Sequence, residues 1–201
     1  IHLIADISPT IQPYCRVNRV IRDIPSNHVV EGNRRTSLRQ DVDKELERRG
    51  ESCSCIRCRE VRGEKLDADA LELVDLTYHP AHAEEHFLQF VTPDDRLAGF
   101  LRLSFPDAEH LEGWRDELLP DLKDAAIIRE VHVYGQSLGV GKEQDGAAQH
   151  IGLGTQLIEH AAALAKDAGY TKLAVISAIG TRRYYAGRGF VMGESYMVRE
   201  L

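Results

Sequence analysis

Residues 149–166 run Gln149-His-Ile-Gly152-Leu-Gly154-Thr-Gln-Leu157-Ile158-Glu-His-Ala161-Ala-Ala-Leu164-Ala-Lys166. Leu157, Ile158, Ala161 and Leu164 recur at helical spacing, which predicts an amphipathic helix over 154–166 that Gly169 stops. The start of a helix leaves backbone N–H groups unpaired and carries partial positive charge. Glycines at 152 and 154 let a phosphate come close to those donors. The stretch therefore predicts a phosphate cradle built from backbone. Gly-x-Gly before a helix is weak evidence by itself, because a flexible loop has the same composition.

The flanks sharpen the reading. Upstream, Ala126 to Tyr134 is an apolar run ended by Gly135, and it predicts a strand whose open backbone could hydrogen-bond an extended ligand arm. Residues 136–148 are polar, contain three glycines and predict a loop. Downstream, Leu173–Ile176 predicts a buried strand, Arg182–Arg188 a short helix closed by Gly189, and Met192–Val198 a last strand. Further upstream, Leu71–Leu76, Glu84–Val91 and Leu97–Phe105 predict a meander, with a turn at Asp94-Asp95. A mixed sheet with inserted helices is an α+β fold, layered in the α/β manner.

The first 65 residues differ. They carry 13 Lys/Arg against 10 Asp/Glu, a net of +3, whereas residues 66–201 carry 12 against 22, a net of −10. An acidic body repels nucleic acid, but a basic appendage can release counterions from phosphates. The alternation over 14–19 is compatible with a short strand. Ser37 is placed to cap a helix with Leu38, Val42 and Leu46 on one face, ended by Gly50. Cys53, Cys55 and Cys58 fall within six residues, a density that points to a metal in a cytosolic chain. Three thiolates suit Zn²⁺. The fourth ligand stays open between Cys15 and several histidines.

No run approaches the roughly 20 apolar residues of a membrane span. No signal-peptide pattern opens the chain, so the reading is cytoplasmic, with no membrane association. The chain begins at Ile1 rather than Met, which leads us to expect a piece of something longer.

Gln149-x-x-Gly152-x-Gly154, with Tyr184-Tyr185 and Gly189-Phe190 after it, resembles the signature of the GNAT acetyltransferases. The phrases Arg129-Glu-Val-His132-Val-Tyr134-Gly and Cys53-Ser-Cys55-Ile-Arg-Cys58, and much of residues 16–40, resemble the family of the Elongator catalytic subunit. That resemblance runs over nearly the whole chain. It implies a GNAT acyltransferase fold over 66–201, preceded by residues 1–65 as the tail of a radical-SAM domain and a zinc-binding linker. It implies acetyl-CoA as cosubstrate, tRNA as partner, and a wobble-uridine carboxymethyluridine synthase in which acetyl-CoA hydrolysis is coupled to tRNA binding. The iron–sulfur cluster and SAM belong to the missing domain, because the Cys53 cluster matches the family's separate zinc motif. The partner that would complete the chemistry is the radical-SAM domain of the same protein. A homodimer is one assembly the sequence allows.

The acetyl-CoA contacts so implied are His132, Val133, Gln149, His150, Gly152, Leu153, Gly154, Thr155 and Tyr184. Candidates for catalysis are Tyr184, Tyr185, His132 and Glu85, and one ring of the tyrosine pair is expected to face the cofactor while the other does not. The metal ligands are Cys53, Cys55 and Cys58, in a structural role. Arg16, Arg19, Arg22, Arg34, Arg35 and Arg39 are the expected tRNA backbone contacts. The loop 136–148 is expected to cover the acetyl-CoA pocket until tRNA arrives. Two other functions compete: a protein or small-amine N-acetyltransferase, such as a lysine acetyltransferase, and a non-catalytic zinc-stapled module that binds tRNA or protein. The basic segment and cysteines argue against the first, and the intact glycine pair against the second.

Overall fold

The apolar run from Ala83 to Val91 pairs on both of its edges, and the sheet grows outward from it. The computed structural model describes every residue except 19, 21–24, 33–36, 64–65, 115–116 and 135–151. Arg19, Arg22, Arg34, Arg35, Gln149, His150 and the loop 136–148 therefore lie outside the described residues. The chain forms two compact units, Ile1–Glu60 and Val61–Leu201.

In the first unit, α1 (His2–Ile7) packs on α2 (Leu38–Arg49), and α3 (Ile56–Arg59) follows the cysteines. Val42 and Leu46 of α2 are buried against Ala5 and Ile4, so the predicted stripe is the packed face. Gly50 closes α2 in the left-handed conformation, at φ 68°. Ser37 stands at the N-cap position, but its hydroxyl makes no capping hydrogen bond. The strand expected over 14–19 does not form among the described residues. Its carbonyls go elsewhere: Cys15 accepts from the Ile56 amide (2.9 Å), Val17 from the Arg39 guanidinium (3.3 Å) and Asn18 from Arg57 (3.1 Å). A backbone satisfied this way needs no ladder.

In the second unit, β1 (Glu72–Tyr78), β2 (Ala83–Val91), β3 (Leu97–Pro106) and β4 (Ala125–Val133) form an antiparallel meander, with the short helix α4 (Ala108–Leu111) after β3. The helix α5 (Leu153–Asp167) then carries the chain to β5 (Lys172–Val175), which lies parallel to β4. A parallel neighbour requires such a crossover. After α6 (Arg182–Ala186), β6 (Val191–Met192) and β7 (Met197–Glu200) complete a seven-stranded sheet of order β1-β2-β3-β4-β5-β7-β6. Leu157, Ile158, Ala161 and Ala165 of α5 are fully buried against Leu101, Leu103, Ile128 and Leu173. Each of the larger side chains contributes about 1.5–3 kcal/mol on burial.

The last strand differs from expectation. Residues 192–198 do not form one strand; they turn between β6 and β7. The carboxylate of Asp121 accepts from the amides of Glu194 (3.2 Å), Ser195 (2.8 Å) and Tyr196 (3.0 Å) and so fixes the turn. A side chain at Gly193 would collide with that carboxylate.

One irregularity positions the site. Arg102 pairs with Glu130 but Leu103 pairs with Ile128, so Arg129 is an extra residue in β4, a β-bulge.

Candidate acyl-transfer site

Strand β4 is paired to β5 only from Ala125 to Ile128. Beyond the bulge it keeps its partner β3 on one edge and loses β5 on the other. The amide of Tyr134 donates to the carbonyl of Ala98 (2.8 Å), which makes 98/134, 100/132 and 102/130 the hydrogen-bonded pairs. Val131 and Val133 are the alternate residues, so their N–H and C=O groups point away from β3, toward the side where β5 has ended. Among the described residues no backbone group bonds to them there. This is an open edge suited to an extended, amide-bearing ligand.

The start of α5 lies beside this edge. Gly152 is its N-cap, at φ 72°, and its carbonyl accepts from Thr155 (2.9 Å) and Gln156 (3.1 Å). The amides of Leu153 and Gly154 have no intrahelical acceptor, as at any helix start. The glycines serve different ends. At Gly152 a Cβ would meet nothing, so the requirement is the left-handed backbone. At Gly154 a Cβ would collide with the Tyr184 hydroxyl and would lie 3.5 Å from Val133 Cγ2. Gly154, Val133 and Tyr184 therefore converge.

The two tyrosines diverge. Their rings meet edge-on at 5.3 Å and 88°. Tyr184 is 38% exposed, whereas Tyr185 is buried and packs edge-on against Phe190. Burial pushes the Tyr185 phenol above its usual range. As a catalytic candidate Tyr185 is thus misplaced: it is a core residue. Arg188, which the sequence did not single out, holds the other ring. Its guanidinium lies 3.5 Å from the Tyr184 ring centroid, and its Nε and Nη2 donate to Thr155 Oγ1 (3.0 and 2.6 Å). A cation thus sits at the positive end of α5, where an anion would relieve both.

Glu85 is also placed away from the open edge. It lies on β2, 1% exposed, and accepts from Arg129 Nη1 (2.8 Å) and the Tyr78 hydroxyl (3.4 Å). A carboxylate so engaged is structural. His132 is on the open half of β4, half-exposed, with Nε2 2.9 Å from Glu130 Oε1. Arg102 Nε donates to the other oxygen of Glu130 at 2.8 Å. The hydrogen bond from His132, with Arg102 beside it, holds the Glu130 carboxyl down at about 2. The sequence reading missed Glu130, because a carboxylate on a strand reads as solvated surface.

In the first unit the Cys53, Cys55 and Cys58 sulfurs lie within 4.8 Å of one another. Thiolates around one tetrahedral zinc sit about 3.8 Å apart, so the three can hold one metal ion. Among the described residues no other Cys, His, Asp or Glu joins them, and Cys15 stays outside. Burial and the neighbouring sulfurs push the Cys58 thiol up. Of the two described arginines expected on RNA, Arg39 donates to Cys58 Sγ (3.2 Å), and Arg16 pairs with Glu60 (2.7 Å). A cavity of about 520 Å³ elsewhere, lined by Leu111, Leu122, Lys123 and Tyr170 among others, includes no cradle residue.

The GNAT acetyltransferase family profile matches residues 58–190, the span that contains this geometry. The chain belongs to the GNAT acetyltransferase family. Over 210 residues it is 38% identical to the tRNA uridine(34) acetyltransferase of Dehalococcoides mccartyi (strain CBDB1), covering 99% of this chain and 43% of that protein. It is 35% identical to Elongator complex protein 3 of Danio rerio, covering 100% of this chain and 37% of that protein. Among solved structures, the archaeal Methanocaldococcus infernus Elp3 with an N-terminal deletion superposes with a TM-score of 0.83 at 30% identity, over 99% of this chain and 47% of that one. This GNAT chain thus spans less than half the length of these relatives. Among its described residues no helix is long and apolar enough to cross a membrane.

Proposed function

We propose that the chain binds acetyl-CoA and is the acetyl-handling part of an enzyme that modifies the wobble uridine of tRNA, with thioester hydrolysis coupled to tRNA binding. The observation that carries this is the open edge at Val131 and Val133 beside the α5 N-terminus, with the Tyr184 hydroxyl seated at Gly154. The pantetheine arm would bond that edge, and its phosphates would meet the Leu153 and Gly154 amides and the Arg188 guanidinium. Tyr184 would hand a proton to the departing sulfur. The whole-length similarity to proteins named tRNA uridine(34) acetyltransferase and Elongator complex protein 3 supports the substrate class.

Cys53, Cys55 and Cys58 would hold a structural zinc that ties the first unit together. The basic segment with Arg16 would contact tRNA phosphates. Arg16, whose side chain is one-third exposed, would exchange its partly buried pairing with Glu60 for a phosphate. Radical chemistry on the uridine would fall to a separate radical-SAM domain. The setting would be cytoplasmic.

The test is acetyl-CoA hydrolysis by the full-length protein with and without tRNA, repeated with Gly152 and Gly154 replaced by bulky residues. Hydrolysis stimulated by tRNA and lost in the variants is the expected result. Acetylation of a free amine without tRNA would favour an ordinary N-acetyltransferase instead.

A further inference from the structure

We infer that His132, through its Nδ1 atom and oriented by Glu130, is the base that activates water for thioester cleavage. The inference rests on acetyl-CoA lying along the open half of β4, as proposed above.

The other candidates are excluded by position. Glu85 is buried in its ion pair with Arg129, and Tyr185 is in the core. Both oxygens of Glu130 are taken, one by Arg102 and one by His132. An ionised carboxylate can only accept. The proton of a neutral His132 is therefore on Nε2, facing Glu130, and Nδ1 carries the free lone pair. Among the described residues nothing bonds to Nδ1, and the His132 side chain is 49% exposed.

The dyad is held rigidly. Arg102 grips Glu130 with Nε, reaches the Tyr78 hydroxyl with Nη1 (2.9 Å) and lies over the Phe87 and Phe100 rings at 5.1 and 5.7 Å. The His132 ring packs against Phe100 at 5.2 Å and lies nearly parallel to Tyr134, at 6.4 Å. The ionisable groups facing it among the described residues are thus Glu130 on its own strand, Arg102 on β3 and Tyr134 beside it.

Strand alternation places the dyad usefully. His132 and Val133 project to opposite faces, and Val133 shares its face with Gly154 and the Tyr184 hydroxyl. A thioester laid on this edge therefore has a phenol on one face and an imidazole on the other. Nδ1 takes a proton from water, whose oxygen bonds to the acetyl carbonyl carbon. The C–S bond breaks with its electron pair passing to sulfur, and the Tyr184 hydroxyl protonates the thiolate. The proton held by His132 returns through solvent to Tyr184. One acetyl-CoA and one water give acetic acid and coenzyme A.

The test uses the full-length protein and measures acetyl-CoA affinity and tRNA-stimulated hydrolysis separately. His132→Ala should lose roughly 10²–10⁴ of the hydrolysis rate at saturating acetyl-CoA, far more than it loses in acetyl-CoA affinity. His132→Gln, which keeps a donor toward Glu130, should lose as much, and added imidazole should restore part of the alanine variant's rate. Glu130→Gln should lower the maximal rate much more than it changes the KM for acetyl-CoA, because the acceptor that fixes the Nε2 proton and the ring orientation is weakened. Hydrolysis at parental rate in both His132 variants, or an unchanged maximal rate in Glu130→Gln, would overturn the assignment. A parent protein that binds no acetyl-CoA would instead sink the underlying reading, and this inference with it.

Discussion

The Tyr184 hydroxyl occupies the space that a side chain at position 154 would fill. The glycine is therefore a seat for the phenol as much as an opening for a phosphate. Gly154→Ala should displace Tyr184 and weaken acetyl-CoA binding more than tenfold, with thermal stability little changed. Adding Tyr184→Phe removes the colliding atom and should recover part of the binding. A double-mutant cycle by calorimetry reads this coupling, and additive losses would show that the two residues do not touch in solution.

Gly152 has open space where a methyl group would stand but a left-handed backbone. Gly152→Ala should cost about 1–2 kcal/mol through backbone strain alone, lowering Tm by roughly 2–8 °C in a protein of this size. Gly152→Asn should cost less, since Asn tolerates this region. Equal losses for the two would point to crowding, not conformation.

Asp121 anchors the turn between β6 and β7 through three backbone amides. Those amides, led by Ser195 and Tyr196, hold its carboxyl below the usual carboxylate range. A depressed folded value means the stabilisation is complete above the unfolded value, near 3.9, and is lost as pH falls through the lower folded one. The hairpin should therefore loosen under acid before the core does, seen as faster amide exchange at 193–197. Asp121→Asn should show that loosening already at neutral pH, with Tm lower by a few degrees.

The sulfur cluster and Arg39 act as one unit, since the guanidinium donates to Cys58. Zinc with three thiolates carries net negative charge, which a neighbouring cation offsets. Arg39→Ala should lower zinc affinity about tenfold or more in chelator competition, and Arg39→Lys should recover only part. Chelation should expose residues 1–60 to proteolysis while leaving 61–201 resistant. Cleavage spread evenly over both units would contradict a local structural role.

The parts legible from sequence were those with long, consistent periodicity. The 154–166 helix and the strands over 84–91 and 97–105 needed no distant information, because each buries a repeating face. The placing of Gly152 and Gly154 at the start of α5 and the divergence of the tyrosine pair were readable from spacing. What was not legible depended on partners far along the chain. The split of the last strand is imposed by Asp121, more than 70 residues upstream. The absent strand near Cys15 reflects carbonyls captured by Arg39, Arg57 and the Ile56 amide. Helix α1, six residues long, is too short to show a period and is held by its packing on α2. Glu130 drew no notice because its meaning comes only from Arg102 and His132 on either side.

The extra residue Arg129 reverses which residues of β4 face the helix layer. Before it, Ala126 and Ile128 face α5; after it, Val131 and Val133 do. Flattening the strand with every residue kept would send Glu130 and His132 into the oil of the α5 layer. Position 129 is thus where one strand changes phase. Its first half is paired on both edges and its second half on one, so the second half can change its chemistry without disturbing the register that β5 requires.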